Sequence, residues 1–403
     1  MRLLILTQYF TPEITAARAR LHPIAAGLAA RGHEVEVICE IPNHPSGIVE
    51  PDYRGRLVQR RSLDGFSATY VWVRASPSKR PASRIASYGS YALMATLTGS
   101  LRSRPDVVLA SSPPLPVGAA AALVASRYRV PWILDVRDLW PEFAVALGEL
   151  RSGPLFRGAA WLERRLYSSA SAITTPTEPF RDHIAELSRE GDKVVVLPNG
   201  TTRSWLEVGE TEPAREQLGL PADRFVWAYV GNLGIAQDVG TAVAAAGLLG
   251  DGFQLLLVGD GPERGELERA AGALADGAVR FTGLVEPDQA ARYMRAADAL
   301  LVPLVADPSV GRAVPSKLFD CCAVGRPVLV AAPGEPRRIA DERGIGLPVM
   351  PGEPAELAEA VRRLRDDGEL RRALVTAGRE FATEHLRDHQ VERLEGLLRA
   401  MVE

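Results

Sequence analysis

At 403 residues, with 46% apolar and 24% charged side chains, the chain is too long for one ordinary core and fits two domains of usual size. Its formal net charge of -3 argues against a protein held to nucleic acid by overall electrostatics. Cys39, Cys321 and Cys322 are its only cysteines, two of them adjacent and none with a Cys or His at metal-ligand spacing, so reduced, buried thiols in a cytoplasmic protein are expected.

The N-terminal run M-R-L-L-I-L-T reads as a short strand, without the long apolar region and cleavage site of a signal peptide. No apolar stretch reaches the ~18 residues that span a bilayer. Membrane association is therefore expected to be peripheral at most, on the inner face of the plasma membrane.

In chain order, residues 3–6 read as a strand, 16–30 as an Ala-rich helix closed by R-G-H, and 34–39 as the next strand. A strand at 107–110, a helix at 117–128 and strands at 132–135, 172–175 and 193–197 complete the first half. Continuous apolar strands alternating with helices predict an α/β fold with a parallel sheet covered on both faces. The pattern breaks at V-L-P-N-G, near 199–205, and restarts with a strand at 225–230. Further strands follow at 254–258, 299–303 and 327–331, with R-F-T-G at 280–283, a helix at 287–297 and a charged helical segment from about 370. The expected organisation is an N-terminal domain over 1–200 and a C-terminal domain over 201–380. A helix over 381–403 is expected to pack back on the first domain. Two such doubly wound domains are expected to face each other across a cleft, with ligands outside the carboxyl ends of the strands.

The stretch G-R-A-V-P-S-K-L-F-D-C-C-A-V-G-R-P-V, residues 311–328, carries the most chemistry. Pro315 suits the first position of a helix, and Gly325 with Arg326-Pro327 ends it. The helix start offers unpaired N–H groups and partial positive charge for a diphosphate, to which Lys317 adds a full charge. Asp320, one turn on, suits a pair of ribose hydroxyls. A capped amphipathic helix with solvated Lys and Asp accounts for the same residues.

This stretch resembles the signature of retaining glycosyltransferase family 4, of GT-B fold. R-G-H-E-V-E-V, P-N-H-P-S-G, D-V-R-D-L-W-P-E, L-E-R-R-L-Y-S-S-A-S, V-L-P-N-G, Y-V-G-N-L-G, V-G-D-G-P-E-R and A-A-D-A-L-L-V-P-L agree with it in order along nearly the whole chain. The likeness is closest to the bacterial branch that transfers sugars, often acetamido sugars, in surface-polysaccharide assembly. It implies a hexosyltransferase using a nucleotide sugar, with UDP as the default nucleotide, the domain over 1–200 binding the acceptor and that over 201–380 the nucleotide sugar. Donor contacts are implied at Gly231, Asn232, Gly234 and Gln237 for the phosphates. Leu284 and Val285 would hold the base through main-chain groups. Arg312, Pro315, Ser316, Lys317, Leu318 and Asp320 complete the donor set. The family's usual Glu, seven residues, Glu falls here on Arg312 and Asp320, so Arg312 departs from the pattern and instead suits phosphate or an anionic group on the donor.

Arg137 and Asp138 fall where relatives carry a His-Asp or Arg-Asp pair beside the reacting sugar, and with Lys317 they are the catalytic candidates; Asp138 also suits a helix N-cap, and the two roles are compatible. Glu13, Arg18 and His44 are acceptor candidates, with Arg20 as an alternative to Arg18, and neither His22 nor His33 is given a catalytic role. The absence of an Asp-X-Asp pair in the sequence argues against a metal-bridged diphosphate. No metal and no cofactor are expected, the nucleotide sugar being a co-substrate. The expected acceptor is a lipid-linked saccharide or a soluble natural product, not nucleic acid. Lys79, Arg80 and Arg84, followed by Tyr88, Tyr91, Leu93 and Met94, form a basic-aromatic segment suited to an anionic membrane, a solvated loop or a core helix. The competing functions are a sugar-nucleotide epimerase of the same fold and a non-catalytic sugar-nucleotide-binding protein.

Overall fold

The structure is a computed structural model that describes all residues except 14, 79, 147, 149, 151–152, 190, 209–214 and 403. Lys79 of the basic-aromatic segment thus lies outside the described residues. The chain divides into two compact units, Met1–Pro198 with Arg387–Glu403, and Asn199–Leu386.

The first unit runs β1 (Arg2–Leu6), α1 (Ala16–Ala30), β2 (Glu34–Glu40), β3 (Val58–Leu63), β4 (Phe66–Val71), α2 (Pro81–Ser100), β5 (Val107–Ser112) and α3 (Pro116–Tyr128). It continues with β6 (Trp132–Val136), α4 (Glu142–Ala146), α5 (Pro154–Ser169), β7 (Ala172–Thr175), α6 (Glu178–Ser188) and β8 (Val194–Val196). The eight strands pair in the order β3-β4-β2-β1-β5-β6-β7-β8. All pairs are parallel except β3–β4. That hairpin corrects the expectation of a wholly parallel sheet. Its signal was Asp64-Gly65 between the two strands, with Gly65 at φ 83°, the left-handed backbone that a two-residue turn demands. Strand order reverses at β1, so the loops after β1 and β5 border the place where open sheets bind ligands.

The second unit holds α7 (Arg203–Val208), β9 (Phe225–Val230), α8 (Val239–Gly247), β10 (Phe253–Val258), α9 (Arg264–Ala271), β11 (Val279–Gly283), α10 (Pro287–Ala296) and β12 (Ala299–Pro303). After these come α11 (Ser316–Val324), β13 (Val328–Ala331), α12 (Glu335–Arg343), β14 (Leu347–Pro348), α13 (Pro354–Asp366) and α14 (Gly368–Glu384). Its six strands are all parallel, in the order β11-β10-β9-β12-β13-β14, and the order reverses at β9. Trp227 and Tyr229 of β9 lie fully buried in the core between this sheet and α8 and α13.

The last helix, α15 (Arg387–Val402), packs on α1 in the first unit. Pro23 inside α1 lacks the N–H that would bond to Ala19, and the orphaned Ala19 carbonyl accepts instead from the Arg387 guanidinium. Gly27 permits the close approach: a Cβ there would lie 2.8 Å from Val391 Cγ2. Gly27→Ala is expected to cost about 1–3 kcal/mol by overpacking, read as a lowered midpoint in denaturant unfolding. Glu395 accepts from Arg31 at 2.8 Å, Arg399 at 2.6 Å and His33 at 3.0 Å, which pulls its carboxyl down to about 2. His33 is thus a packing residue.

Candidate active site

In the second unit, glycines end three neighbouring strands. Gly231 after β9, Gly259 after β10 and Gly283 at the end of β11 have φ of 145°, 131° and 76°. The Gly231 N–H donates to Val258 O at 2.8 Å and the Gly259 N–H to Gly283 O at 2.9 Å. A Cβ on Gly259 would fall 2.0 Å from the Gly231 carbonyl, so the strand ends close only with bare backbone. The loop after β9 is fixed further by Leu233, whose N–H donates to Asp260 O at 2.9 Å and whose carbonyl accepts from Glu263 N at 3.0 Å.

Lys317 reaches this place from the first turn of α11. Its ammonium lies 3.7 Å from the centroid of the Tyr229 ring, and a Cβ on Gly231 would come within 2.3 Å of it. The Tyr229 hydroxyl donates to Asn232 O at 2.7 Å, tying ring and loop together. Lys317 makes no ion pair among the described residues. Burial pushes its ammonium down to about 7, against the opposing pull of Cys321 and Asp320. An uncompensated cation is thus held at the carboxyl end of the central strand, where the order reverses.

Helix α11 begins at Ser316, and Pro315 is the extended residue before it, at φ -64° and ψ 136°. Pro315 is therefore the cap and not the first helical residue. Gly325, at φ 75°, ends the helix as expected. Leu318 is buried beneath it, and Arg312 sits half-buried in the short 3-10 turn Val310–Arg312. Asp320 accepts from Thr201 Oγ1 at 2.8 Å, and Asn199 Nδ2 donates to Val314 O at 3.1 Å. Thr201 and Asn199 were missed as site residues; the signal was V-L-P-N-G, which was read as a boundary.

Gln237 does not open α8. It ends the 3-10 turn Ile235–Gln237, and Asp238, at φ 44°, separates it from the helix. A Cβ on Gly234 would meet Asn232 Nδ2 at 2.5 Å and Gln237 Oε1 at 2.9 Å, so these three residues are gathered in one loop. Leu284 and Val285 fall in the turn between β11 and α10, with the Leu284 side chain exposed.

In the first unit, Asp135 is the buried, second-to-last residue of β6. It pairs with Arg20 at 3.0 Å and accepts from Ser111 Oγ at 3.0 Å and Thr174 Oγ1 at 2.9 Å. Burial pushes this carboxyl up, but Arg20 and its hydrogen bonds prevail and hold it below the usual range. Arg20 also donates to Leu197 O at 3.1 Å, which makes it a strut of the core and corrects its reading as a ligand-facing residue. Arg18, the alternative, is half-buried in the first turn of α1, and its guanidinium has no hydrogen-bond or ion-pair partner among the described residues.

Arg137 donates to Ser111 Oγ at 2.9 Å and Pro113 O at 3.1 Å, so it is locked over the ends of β5 and β6, and burial lowers its pKa. The Asp138 carboxylate takes no hydrogen bond from a described residue, so the N-cap explanation for it fails. Burial raises its pKa, against the pull of Arg137. Glu13 is turned inward, which corrects its reading as an acceptor contact. Its Oε1 accepts from Asn43 N and His44 N, each at 2.7 Å, and burial lifts it to about 7. It braces the P-N-H-P loop and so positions His44, whose ring lies edge-on to Tyr9 with centroids 5.3 Å apart. Burial lowers the pKa of His44 and favours the neutral imidazole. Tyr9 also contacts Tyr88 of α2, bringing a third aromatic to this rim.

Two doubly wound units of this kind match solved GT-B structures. Anabaena HepE in complex with UDP and glucose aligns with a TM-score of 0.75 over 99% of this chain and 100% of that one, at 16% identity. The fold is therefore that of a GT-B glycosyltransferase. A glycosyl transferase 4-like domain matches residues 15–200 and a glycosyl transferases group 1 domain matches 224–367, and the chain belongs to this GT4-type glycosyltransferase family. The putative colanic acid biosynthesis glycosyl transferase WcaI of Escherichia coli is 24% identical over 82% of this chain and 83% of that one. The 2-deoxystreptamine glucosyltransferase of Streptomyces kanamyceticus is 32% identical over 58% of this chain and 61% of that one. The chain is a transferase enzyme, and the epimerase and non-catalytic alternatives give way to that assignment.

Proposed function

We propose that the protein moves a hexose or N-acetylhexosamine from a UDP-sugar to a hydroxyl acceptor with retention at the anomeric carbon, without a metal ion or bound cofactor. The uncompensated Lys317 ammonium, seated among the strand-end glycines, carries this reading: it supplies positive charge where a leaving diphosphate develops negative charge. The first N–H groups of α11 add partial positive charge, and Arg312 precedes them in the chain. As the bond from the anomeric carbon to the diphosphate oxygen breaks, the acceptor oxygen bonds to the same face and its proton passes to the departing phosphate. Asp320, oriented by Thr201, suits the ribose. Arg18, His44 and Asp138 are the acceptor-side groups, and Arg137 holds the loop that presents Asp138. That HepE was solved with UDP and glucose supports the choice of nucleotide. The likeness to WcaI, named for colanic acid biosynthesis, over most of both chains favours a growing polysaccharide as acceptor over a soluble natural product.

Incubation with a panel of UDP-sugars, followed by mass spectrometry, tests the reading. Slow release of UDP from one donor, unchanged by a chelator, is expected; isomerised donor, or release that a chelator abolishes, contradicts it. The pH dependence is a second test. Lys317 must be protonated to meet a diphosphate and loses its proton at about 7 in the free enzyme. The donor kcat/KM is therefore expected to fall by about tenfold per pH unit above that value, and Lys317→Arg should remove the decline.

A further inference from the structure

Helix α2 has an outer face unlike that of an ordinary surface helix. Its inner face is fixed by buried Tyr91, whose hydroxyl donates to Ile38 O at 2.8 Å, and by Ala95, Thr98 and Gly99. The opposite face carries Ile85, Gly89, Leu93 and Leu97, with Leu101 just past the helix end, each four residues from the last. Ile85, Leu93, Leu97 and Leu101 are 49%, 60%, 52% and 86% exposed. Solvent-facing ridges are normally polar, and a continuous apolar one marks an interaction surface. Between Arg84 and Arg102 the sequence has no charged residue at all.

The surroundings of the ridge are basic. From Gly65 to Pro105 the sequence contains no Asp or Glu. Arg80 lies exposed before the first turn, and exposed Arg74 is placed alongside α2 by its N–H, which donates to Ser90 Oγ at 2.8 Å. At the other end, the Tyr128 hydroxyl donates to Ser100 O at 2.9 Å, joining the end of α3, flanked by exposed Arg127 and Arg129, to the end of α2, which exposed Leu101 and Arg104 follow. Carboxylates at the Leu101 end are already engaged, Glu36 by Arg102, Glu34 by Arg2 and Asp106 by the Arg2 N–H.

We infer that this face docks the first unit onto an anionic lipid surface, with the leucine ridge entering the acyl boundary and the arginines meeting headgroup phosphates. Charge complementarity selects this occupant: an apolar stripe bracketed by unopposed cations is the pattern of an interfacial helix, whereas a second copy would set the same arginines against each other. No described helix is long and apolar enough to cross the membrane, so the contact is one of lying on the surface. The sequence had pointed to Tyr88, Tyr91, Leu93 and Met94 for such a contact. The structure turns Tyr91 into the core, leaves Leu93 exposed and adds Leu97 and Leu101 to it.

The test is co-sedimentation of the full chain with vesicles of phosphatidylcholine alone or mixed with phosphatidylglycerol. The wild type is expected to pellet with the mixed vesicles at least about tenfold more than with the neutral ones, and high salt should reduce this. Leu93→Glu/Leu97→Glu/Leu101→Glu and, separately, Arg74→Glu/Arg80→Glu/Arg104→Glu should each abolish it, with circular dichroism and UDP binding unchanged, because all six side chains are exposed and none is a donor residue. Equal pelleting by wild type and variants overturns the inference, as does a wild type that ignores both vesicles. A dimer in light scattering that the leucine variant alone dissolves, without vesicle binding, would instead assign the ridge to self-association.

Discussion

Lys317→Ala is expected to lower donor turnover by about 10²–10³-fold, the loss typical when one preorganised charge is taken from a developing anion. The same substitution should leave the fold as stable as the wild type or more so, because the structure holds this ammonium where burial disfavours its charge. Its pKa falls from 10.5 to about 7 on folding, so between those values the folded state binds fewer protons than the unfolded one. Stability supplied by the rest of the chain is therefore eroded as pH drops through that window, and the alanine variant should lack this slope. Steady-state kinetics with denaturant unfolding at two pH values reads both effects. A variant that loses activity and stability together would make Lys317 a packing residue. Gly231 belongs to the same prediction: any side chain there enters the space of the ammonium and must adopt a φ of 145°.

Asp135→Ala is expected to destabilise the first unit by about 3–5 kcal/mol, since it leaves the Arg20 guanidinium buried without its partner. Ser111 and Thr174 lose their acceptor as well. That is a large share of the ~5–15 kcal/mol by which domains are stable. Arg20→Met/Asp135→Leu should recover much of the loss, because the penalty comes from the stranded charge more than from the missing attraction. The wild-type contribution has a defined pH sign. The Asp135 carboxyl is held below its ordinary 3.8, so the pair stabilises fully above that value and loses its effect as pH falls through the lower, folded value. Urea unfolding of the three proteins at neutral and acid pH checks both statements.

The sheets were legible in the sequence because their strands are short runs of mostly apolar or β-branched residues. The runs at 172–175, 225–230 and 299–303 coincide with β7, β9 and β12 residue for residue. The β3–β4 hairpin was not, because V-Q-R-R-S-L at the sheet edge carries little apolar signal and only Asp64-Gly65 announces it. Helix α2 was visible as a segment, but its facing was not. A helix with apolar residues on most sides does not declare which side the core takes, and Tyr91 lies inside while Leu93 lies outside.

The placement of the proposed donor residues was legible in the sequence, since Gly231 and Asn232 follow a strand end and Lys317 and Asp320 lie in the first turns of a helix, as the sequence put them. Tyr229 and Thr201 were not found, because each acts through a partner distant in sequence: the ring under Lys317, and the hydroxyl on Asp320. On the acceptor side, Glu13 and Arg20 misled for one reason. A charged residue after a strand can face a ligand or brace the loop beside it, and only the packing shows that Glu13 holds Asn43 and His44 while Arg20 holds Asp135.

The central claim is that the strand-end glycines, Lys317 and Asp320 form a nucleoside diphosphate site. Calorimetric titration of the purified chain with UDP, beside Lys317→Ala, tests it most directly. Saturable binding by the wild type, at least about tenfold weaker in the variant by the loss of one charge-assisted contact, is the result expected. Equal affinity in both proteins, or no binding of UDP or any other nucleoside diphosphate, would contradict it.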